Sequence, residues 1–171
     1  MEKVKIVENI LPNNILNYVY QVIINEPIWT LSTKSQNTEF TIAGSNLFDK
    51  HRNINTKSNS QILASMIYMC IKDKVDFLTN DIHRIHIGAK ANLQDDNLHI
   101  DSIENCYTVL FYLNPYWNKE WGGETIVGNE KIQYKPNRAL IYDSKILHGG
   151  MGPKSPHLRT YINYVVGKNN L

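Results

Sequence analysis

The spacing of apolar residues changes near residue 80 and divides the chain into a helical part and a strand-rich part. Residues 11–25 repeat apolar side chains at the spacing of an amphipathic helix: Leu11, Ile15, Val19, Val22 and Ile23. Pro12 suits the first turn of this helix, and Pro27 ends it. Residues 60–78 carry one broad apolar stripe and predict a second helix, in which the methionines fill the core.

From residue 81 onward, apolar and polar residues alternate as they do in β-strands. Short strands are predicted at residues 82–87, 107–114, 124–127, 131–134, 138–142 and 159–166, after an earlier one at 28–32. Turn signals separate several of them: Gly122-Gly123, Gly128-Asn129 and Pro136-Asn137. Helices followed by strands indicate an α+β fold. The strands are too many and too short for a doubly wound sheet, so a sandwich or jelly roll backed by helices is favoured.

Residues 36–59 are polar and rich in Ser, Thr, Asn and Gly. This composition predicts a loop for most of the segment, with room for a hairpin around Phe40. A long polar loop beside a compact core is either functional or a mobile surface segment, and the sequence leaves both open.

Length and composition predict one domain over residues 1–171, with helical support and a variable loop in 1–80 and a jelly-roll core in 81–168. The chain has 171 residues, 42% of them hydrophobic, which is enough for one core. A net charge of +2 is too balanced to indicate nucleic acid or a membrane as partner.

Cys70 and Cys106 form no disulfide framework and are interpreted as small buried residues. We expect a cytoplasmic protein, because the chain begins with no signal peptide and no apolar run approaches about 18 residues. The oligomeric state is left open.

The most informative residues are His99, Asp101 and His148. Two candidate ligands one residue apart, followed 47 residues later (148 − 101) by a second His, have the spacing of a 2-His-1-carboxylate metal site. Such a set holds one face of an octahedral ion and leaves the other face open, which suits Fe(II). A His-x-Asp pair alone is common, but here each member stands near a predicted strand end. Arg159 follows His148 by 11 residues (159 − 148), at the start of a strand, where its cation could hold a carboxylate.

Residues 84–166 resemble the Fe(II)/2-oxoglutarate-dependent oxygenases, in particular the prolyl 4-hydroxylase-like branch. The matching parts are His99-Ile100-Asp101, Tyr112-Leu113-Asn114, Trp117, Gly122-Gly123-Glu124-Thr125, His148 and Arg159. Residues 112–125, from Tyr-Leu-Asn to Gly-Gly-Glu-Thr, are the most specific piece. The N-terminal helices and residues 36–59 carry no such resemblance.

The resemblance implies a double-stranded β-helix, a distorted jelly roll, with the N-terminal helices packed on one sheet. It implies that His99, Asp101 and His148 hold Fe(II), and that Arg159 pairs with the far carboxylate of 2-oxoglutarate. It also implies that Tyr112 donates a hydrogen bond to that carboxylate, with Thr125 as a weaker candidate for lining the pocket. The implied activity is C–H hydroxylation with O2 as cosubstrate and release of succinate and CO2, with ascorbate as an optional stimulant. The resemblance also implies a substrate that is either a prolyl residue of a peptide or protein, or a small molecule.

The physical chemistry of Arg159 agrees with its implied role. By period two, Arg159, Tyr161 and Asn163 share one strand face, and a buried guanidinium is costly without a carboxylate partner. Its planar fork grips a carboxylate through two parallel hydrogen bonds, which Lys cannot do. The alternatives are an Arg159 at the surface and a buried Tyr112 with one structural hydrogen bond.

Several residues depart from the family pattern or stay unassigned. Residues 88–98 contain no Tyr, so a common cosubstrate contact is missing or replaced. Arg84 points toward substrate or is a surface charge, and Trp117 and Trp121 close the core or a pocket rim. We expect neither His83 nor His86 to bind the metal, and His51 and His157 to be surface residues. Asp143 and Asn114 are candidates for orienting the imidazole ligands.

Two other classes of protein remain compatible with the sequence. A cupin-like isomerase or metal-binding module would need the same three ligands without 2-oxoglutarate. A binding or assembly protein would retain the site only as a vestige. Arg159 is the residue that favours the oxygenase over both.

Overall fold

The computed structural model describes residues 4–32 and 42–169, which contain two α-helices and eleven β-strands. In chain order these are β1 (Val4–Glu8), α1 (Asn13–Asn25), β2 (Thr30–Ser32), β3 (Ile42–Asp49), β4 (Ile54–Asn55), α2 (Asn59–Lys72), β5 (Ile82–Lys90), β6 (Cys106–Tyr112), β7 (Thr125–Val127), β8 (Glu130–Ile132), β9 (Arg138–Asp143), β10 (His148–Gly150) and β11 (Arg159–Gly167).

The strands of the described residues form one large and one small antiparallel sheet. The large sheet has the order β1-β9-β6-β11-β5-β3-β2, with β4 paired to β3. The small sheet has the order β10-β7-β8, and isolated bridges join His99 to His148 and Gly122 to Pro153. This arrangement confirms the expected α+β jelly roll.

Two hydrophobic cores lie on opposite faces of the large sheet. The outer core joins both helices to that face, through Leu16, Ile23, Ile67, Ile71, Ile87, Phe111 and Ile162 among others. Tyr164 on β11 also donates a hydrogen bond to the Ala64 carbonyl of α2, at 2.7 Å. The inner core lies between the two sheets and contains Leu110, Tyr112, Val127, Ile132 and Leu140. The N-terminal helices therefore pack on one sheet, as expected, and leave the space between the sheets for a site.

The helices and most strands lie where periodicity predicts them. The second helix ends at Lys72 rather than near residue 78, and Ser58 caps its start by accepting a hydrogen bond from the Gln61 amide at 3.1 Å. Val75 and Leu78 are nevertheless buried, because the turns after α2 return them to the outer core. The apolar stripe therefore predicted helix length incorrectly and burial only in part, because Ile67, Val75 and Leu78 are buried whereas Ile62 is exposed. The expectation that the methionines fill the core is wrong, since Met66 and Met69 lie on the exposed face of α2.

The loop expected over most of residues 36–59 is wrong at residues 42–49 and 54–55, which form strands, and holds at residues 50–53 and 56–58. Residues 42–49 form β3, which pairs with β5, and β4 follows at Ile54–Asn55. The polar residues among them gave no strand pattern in the sequence, because this strand is stabilised by pairing with distant residues. Gly44 lies within this pairing, and a larger residue does not fit there because its Cβ would lie 2.7 Å from the Ile87 carbonyl oxygen. The hairpin expected around Phe40 lies outside the described residues.

Two further strands, β1 and β10, were not expected. β1 pairs with β9 at the edge of the large sheet, and β10 carries His148 in the small sheet. Gly149 and Gly150 are of a residue type common in turns, but both stay extended in β10.

Trp117 is buried in the inner core, while Trp121 packs partly against it and stacks on the exposed His157, with ring centroids 4.0 Å apart. Both tryptophans therefore serve packing. Cys70 and Cys106 are free thiols, Cys106 being buried and Cys70 partly exposed. Neither described helix has the length and apolar character needed to cross a membrane.

Candidate metal centre and the adjoining anion pocket

His99, Asp101 and His148 converge at the open end of the space between the sheets. One ligand atom from each lies within 4.8 Å of the others. The backbone holds the two histidines together, because each donates its amide hydrogen to the carbonyl of the other at 2.9 Å. His148 comes from β10, and His99 comes from the segment that bridges to it.

Backbone carbonyls orient both imidazole rings. Nδ1 of His99 lies 2.9 Å from the Asn97 carbonyl oxygen, and Nδ1 of His148 lies 2.8 Å from that of Ile146. When each Nδ1–H donates to its carbonyl, each Nε2 carries a lone pair toward the common centre. Nε2 of His148 is buried without a hydrogen-bond partner in the described chain and lies 3.2 Å from Oδ2 of Asp101.

This orphaned nitrogen, beside a second imidazole and a carboxylate, fits a divalent transition metal held on one face. The expectation that Asp143 and Asn114 orient the rings is wrong. Asp143 pairs with Lys168, and Asn114 binds Thr160 at the start of β11.

Asp101 is fixed by three neighbouring side chains. Arg84 forms an ion pair with Oδ1, while Oδ2 accepts hydrogen bonds from Thr108 at 2.8 Å and Asn163 at 3.0 Å. Burial alone would raise the pKa of Asp101, but the close contact with His148 and the charge of Arg84 hold it well below its ordinary value. Arg84 is thus neither a surface charge nor aimed away from the centre: it holds Asp101 ionised and oriented.

Arg159 lies in the same cavity and is 1% exposed. Its Nε donates to the Gly123 carbonyl and its Nη2 to Oγ1 of Thr125, each at 2.7 Å. Oγ1 of Thr125 also lies 2.7 Å from the Tyr112 hydroxyl. No carboxylate of the described residues forms a salt bridge with Arg159, so this buried cation has hydrogen bonds but no counter-charge. The three residues expected to bind the cosubstrate therefore lie together.

Lys90 was not expected at the site. It is 2% exposed, lines the same cavity, and stands directly opposite Arg159 in the pairing of β5 with β11. Its ammonium pairs with Asp96. Burial lowers the pKa of Lys90 and the nearby Arg159 adds to this, whereas Asp96 acts in the opposite direction. Period two on β5 could have found it, since Lys90 shares the face of Arg84.

Tyr142 is a second unexpected member of the cavity. Its hydroxyl is buried without a hydrogen-bond partner among the described residues, and its ring lies 4.9 Å from that of His148. Burial raises the pKa of Tyr142 well above its ordinary value, so the hydroxyl is neutral and able to donate. A buried donor without an acceptor is consistent with a polar ligand in this cavity.

A second set of metal-binding side chains lies at the other end of β5. His51, His83 and Glu104 bring ligand atoms within 4.8 Å of one another, with His51 and Glu104 exposed. The two ring nitrogens of His83 lie 2.8 Å from Asp81 and 3.0 Å from Glu104. The contacts of His83 with these two carboxylates account for this group without a metal.

Comparison with known proteins identifies relatives of the strand-rich part of the chain. Residues 81–165, about half of the chain, match the family model of the 2OG-Fe(II) oxygenase superfamily. None of the curated protein sequences matches this chain.

Solved structures of low sequence identity share the fold. A prolyl hydroxylase from Trichoplax adhaerens, in complex with a hypoxia inducible factor peptide fragment, matches with a TM-score of 0.72 and 14% identity over 98% of this chain and 84% of that one. A viral collagen prolyl hydroxylase from Paramecium Bursaria Chlorella virus-1, in a 2OG complex, matches with a TM-score of 0.68 and 14% identity over 96% of both chains. A Pseudomonas putida prolyl-4-hydroxylase matches with a TM-score of 0.66 and 13% identity over 96% of this chain and 92% of that one.

Proposed function

This chain belongs to the 2OG-Fe(II) oxygenase superfamily and is a 2-oxoglutarate-dependent dioxygenase, and we propose that His99, Asp101 and His148 hold its Fe(II). One observation carries the assignment: three ligand atoms lie within 4.8 Å of one another, and His99 and His148 line the cavity that also contains Arg159. Arg159 is buried there, and no carboxylate of the described residues forms a salt bridge with it. A cupin-like metal protein that binds no 2-oxoglutarate does not need a buried arginine such as Arg159 to bind a carboxylate. A vestigial site would not retain both the ligand set and the network around Asp101.

The cosubstrate pocket is formed by Arg159, Tyr112 and Thr125. The far carboxylate of 2-oxoglutarate pairs with the Arg159 guanidinium, whose Nη1 is free of hydrogen bonds to the described residues. Thr125 holds Nη2 of Arg159 and the Tyr112 hydroxyl at fixed positions, each at 2.7 Å. Burial raises the pKa of Tyr112, which keeps its phenol protonated as a hydrogen-bond donor.

The protein's own side chains position the reactants. When bound, Fe(II) and 2-oxoglutarate supply the oxidising chemistry that converts a substrate C–H bond and O2 into an alcohol, with release of succinate and CO2. Arg84, Thr108 and Asn163 keep Asp101 ionised, so one negative ligand balances part of the metal charge. Tyr142 and Leu110 line the cavity beside His148.

The proposed substrate is a prolyl residue of a peptide or protein. Support comes from the shared fold of prolyl hydroxylases, including the one solved with a hypoxia inducible factor peptide fragment. The test incubates the purified protein with Fe(II), 2-oxoglutarate, O2 and ascorbate. Peptides with one proline are compared with matched peptides carrying alanine, and with free amino acids. We expect succinate release together with a gain of one oxygen atom on the proline peptide alone, read by mass spectrometry.

Two variants test the ligand assignment in the same assay. His148→Ala should remain folded and release no succinate, because one metal ligand is missing. His157→Ala alters an exposed histidine and serves as the matched control with unchanged turnover. Turnover retained by iron-reconstituted His148→Ala would refute the assignment, whereas oxygen added only to free amino acids would refute the peptide substrate.

The chain's organisation and location complete the proposal. Residues 1–171 act as one oxygenase domain, in which the helices support the large sheet and residues 81–168 carry the site. A cytoplasmic location is supported by two cysteines that both remain free thiols.

A further inference from the structure

Lys90 and Arg159 form a pair of buried like charges. They are direct partners across β5 and β11, and their exposed fractions are 2% and 1%. Like charges at directly opposite positions of antiparallel strands destabilise the sheet, and burial adds a desolvation cost. Both side chains sit above Gly150, where a Cβ would lie 2.9 Å from Cε of Lys90 and 3.0 Å from Nη1 of Arg159. The two cations therefore converge on the same small volume.

Only one acid of the described residues forms an ion pair with either cation. Asp96 pairs with Lys90, and no described carboxylate forms a salt bridge with Arg159. One ion-paired carboxylate beside two buried cations leaves an excess of one positive charge within this cluster. A dianionic ligand whose outer carboxylate enters this volume would remove that excess.

The loop that carries Asp96 is held in place by contacts other than the ion pair between Asp96 and Lys90. The amide of Asp96 donates to the Gly150 carbonyl at 2.9 Å, and Oδ2 accepts from the Gly150 amide at 3.0 Å. Asp95 accepts a further hydrogen bond from the Gly152 amide at 2.8 Å, and the Leu93 amide donates to the Pro153 carbonyl at 3.0 Å. The loop is thus tied to β10 and its continuation by contacts that do not involve Lys90. A structural role alone does not explain a lysine buried against Arg159.

We propose that Lys90 is a second cation for the far carboxylate of 2-oxoglutarate, acting with Arg159 from the opposite strand while Asp96 holds its ammonium in position. Lys90 is a positioning residue of the cosubstrate, and this role rests on the proposed function. It supplies, with a different side chain, a cosubstrate contact from the segment of residues 88–98, which contains no tyrosine.

The test compares two ligands that differ only in the far carboxylate. 2-Oxoglutarate and 2-oxopentanoate share the 2-oxo acid end and the carbon chain, but 2-oxopentanoate ends in a methyl group. Dissociation constants are measured on Mn(II)-loaded protein without turnover, by calorimetry, or by Mn(II)-induced broadening of ligand proton signals where binding is weak. Lys90→Met should weaken 2-oxoglutarate binding by about 10-fold or more, as expected for loss of a charged hydrogen-bond partner. It should change 2-oxopentanoate binding less than about 2-fold.

Control variants separate this role from a structural one. Lys74→Met removes an exposed lysine and should change neither constant. Lys90→Met/Asp96→Asn removes both members of the ion pair, so it leaves no unpaired acid and retains the fold if the single variant loses it. This double variant should show the same selective loss of 2-oxoglutarate binding.

The possible outcomes separate failure of the proposed role of Lys90 from failure of the proposed function. Equal weakening of both ligands, or no weakening of either, would overturn the role of Lys90. Absence of 2-oxoglutarate binding by the unmodified Mn(II)-loaded protein would instead overturn the proposed function itself. Loss of 2-oxoglutarate binding in Arg159→Met with none in Lys90→Met would leave the proposed function standing and reject this inference alone.

Discussion

Replacement of Arg159 by methionine should remove the response of the protein to 2-oxoglutarate with little change in the ligand-free stability. The variant loses two charged hydrogen bonds, to the Gly123 carbonyl and to Oγ1 of Thr125, each worth about 1.5–3 kcal/mol. It also removes a buried cation that no described carboxylate neutralises, and that relief offsets much of the loss. We expect the free energy of unfolding of Arg159→Met to lie within about 2 kcal/mol of the unmodified value.

The effect on binding should be much larger than the effect on stability. Truncation of one partner of a buried charge pair costs about 2–5 kcal/mol, which is a loss of about 30- to 4000-fold in affinity. At a 2-oxoglutarate concentration of about 100 times Kd, the unmodified protein gains about 2.7 kcal/mol. For a chain of this size that gain raises Tm by roughly 5–11 °C. At the same concentration the variant gains at most about 0.9 kcal/mol, or roughly 3 °C.

Thermal unfolding with Mn(II), with and without 2-oxoglutarate, measures this difference directly. Arg52→Met, which replaces an arginine whose side chain is 71% exposed, is the matched control and should keep the full shift in Tm. Arg159→Lys should recover only part of the shift, because lysine keeps the charge and loses the planar fork. An equal shift in Arg159→Met and in the unmodified protein would refute the carboxylate-binding role of Arg159.

Three further substitutions probe the surroundings of the site. Arg84→Met should lower metal affinity by about 10- to 100-fold in a calorimetric titration, because the proposed carboxylate ligand loses the cation that orients it, and an unchanged affinity would count against that role. Burial lowers the pKa of His86 to about 4 from its ordinary value near 6.5, so unfolding favours its protonation and stability falls as pH drops from 6.5 toward 4, by up to about 3 kcal/mol. His86→Gln should lack this part of the acid sensitivity in urea unfolding at pH 7 and pH 4.5, and an identical pH dependence would contradict the burial argument. Gly88→Ala should cost about 1–3 kcal/mol in urea unfolding because its Cβ would overlap the Tyr161 ring, whereas Gly149→Ala, whose Cβ meets nothing closer than 3.4 Å, should cost less.

Hydrophobic periodicity predicted the elements that bury an apolar face. Both helices and the central strands β5, β6, β9 and β11 contain regular apolar positions, and their burial in the outer core follows from this pattern. β3 escaped prediction because residues 42–49 are mixed in polarity and become a strand only by pairing with β5. Local sequence carries no information about such a distant partner.

In the candidate site, only the residues that belong to sequence motifs could be predicted. His99, Asp101 and His148 could be selected from spacing, and Arg159 from its place after them. The residues that support them could not be selected in this way. For example, Lys90 lies opposite Arg159 only because of the register between β5 and β11.

Likewise, the pairing of Arg84 with Asp101 joins residues 17 positions apart, and no sequence rule connects them. The orientation of the imidazoles by the carbonyls of Asn97 and Ile146 leaves no side-chain signature, and the glycines after His148 concealed a strand.

The reciprocal amide bridge between His99 and His148 has a consequence for how the protein takes up and releases its metal. Two backbone hydrogen bonds of 2.9 Å hold His99 and His148, the two proposed imidazole ligands, side by side through contacts of the chain itself. Little conformational entropy is left for binding to remove, so the ion can exchange without unfolding or refolding a segment. We therefore expect that dialysis of the folded protein loads the proposed site with iron or with a redox-silent substitute.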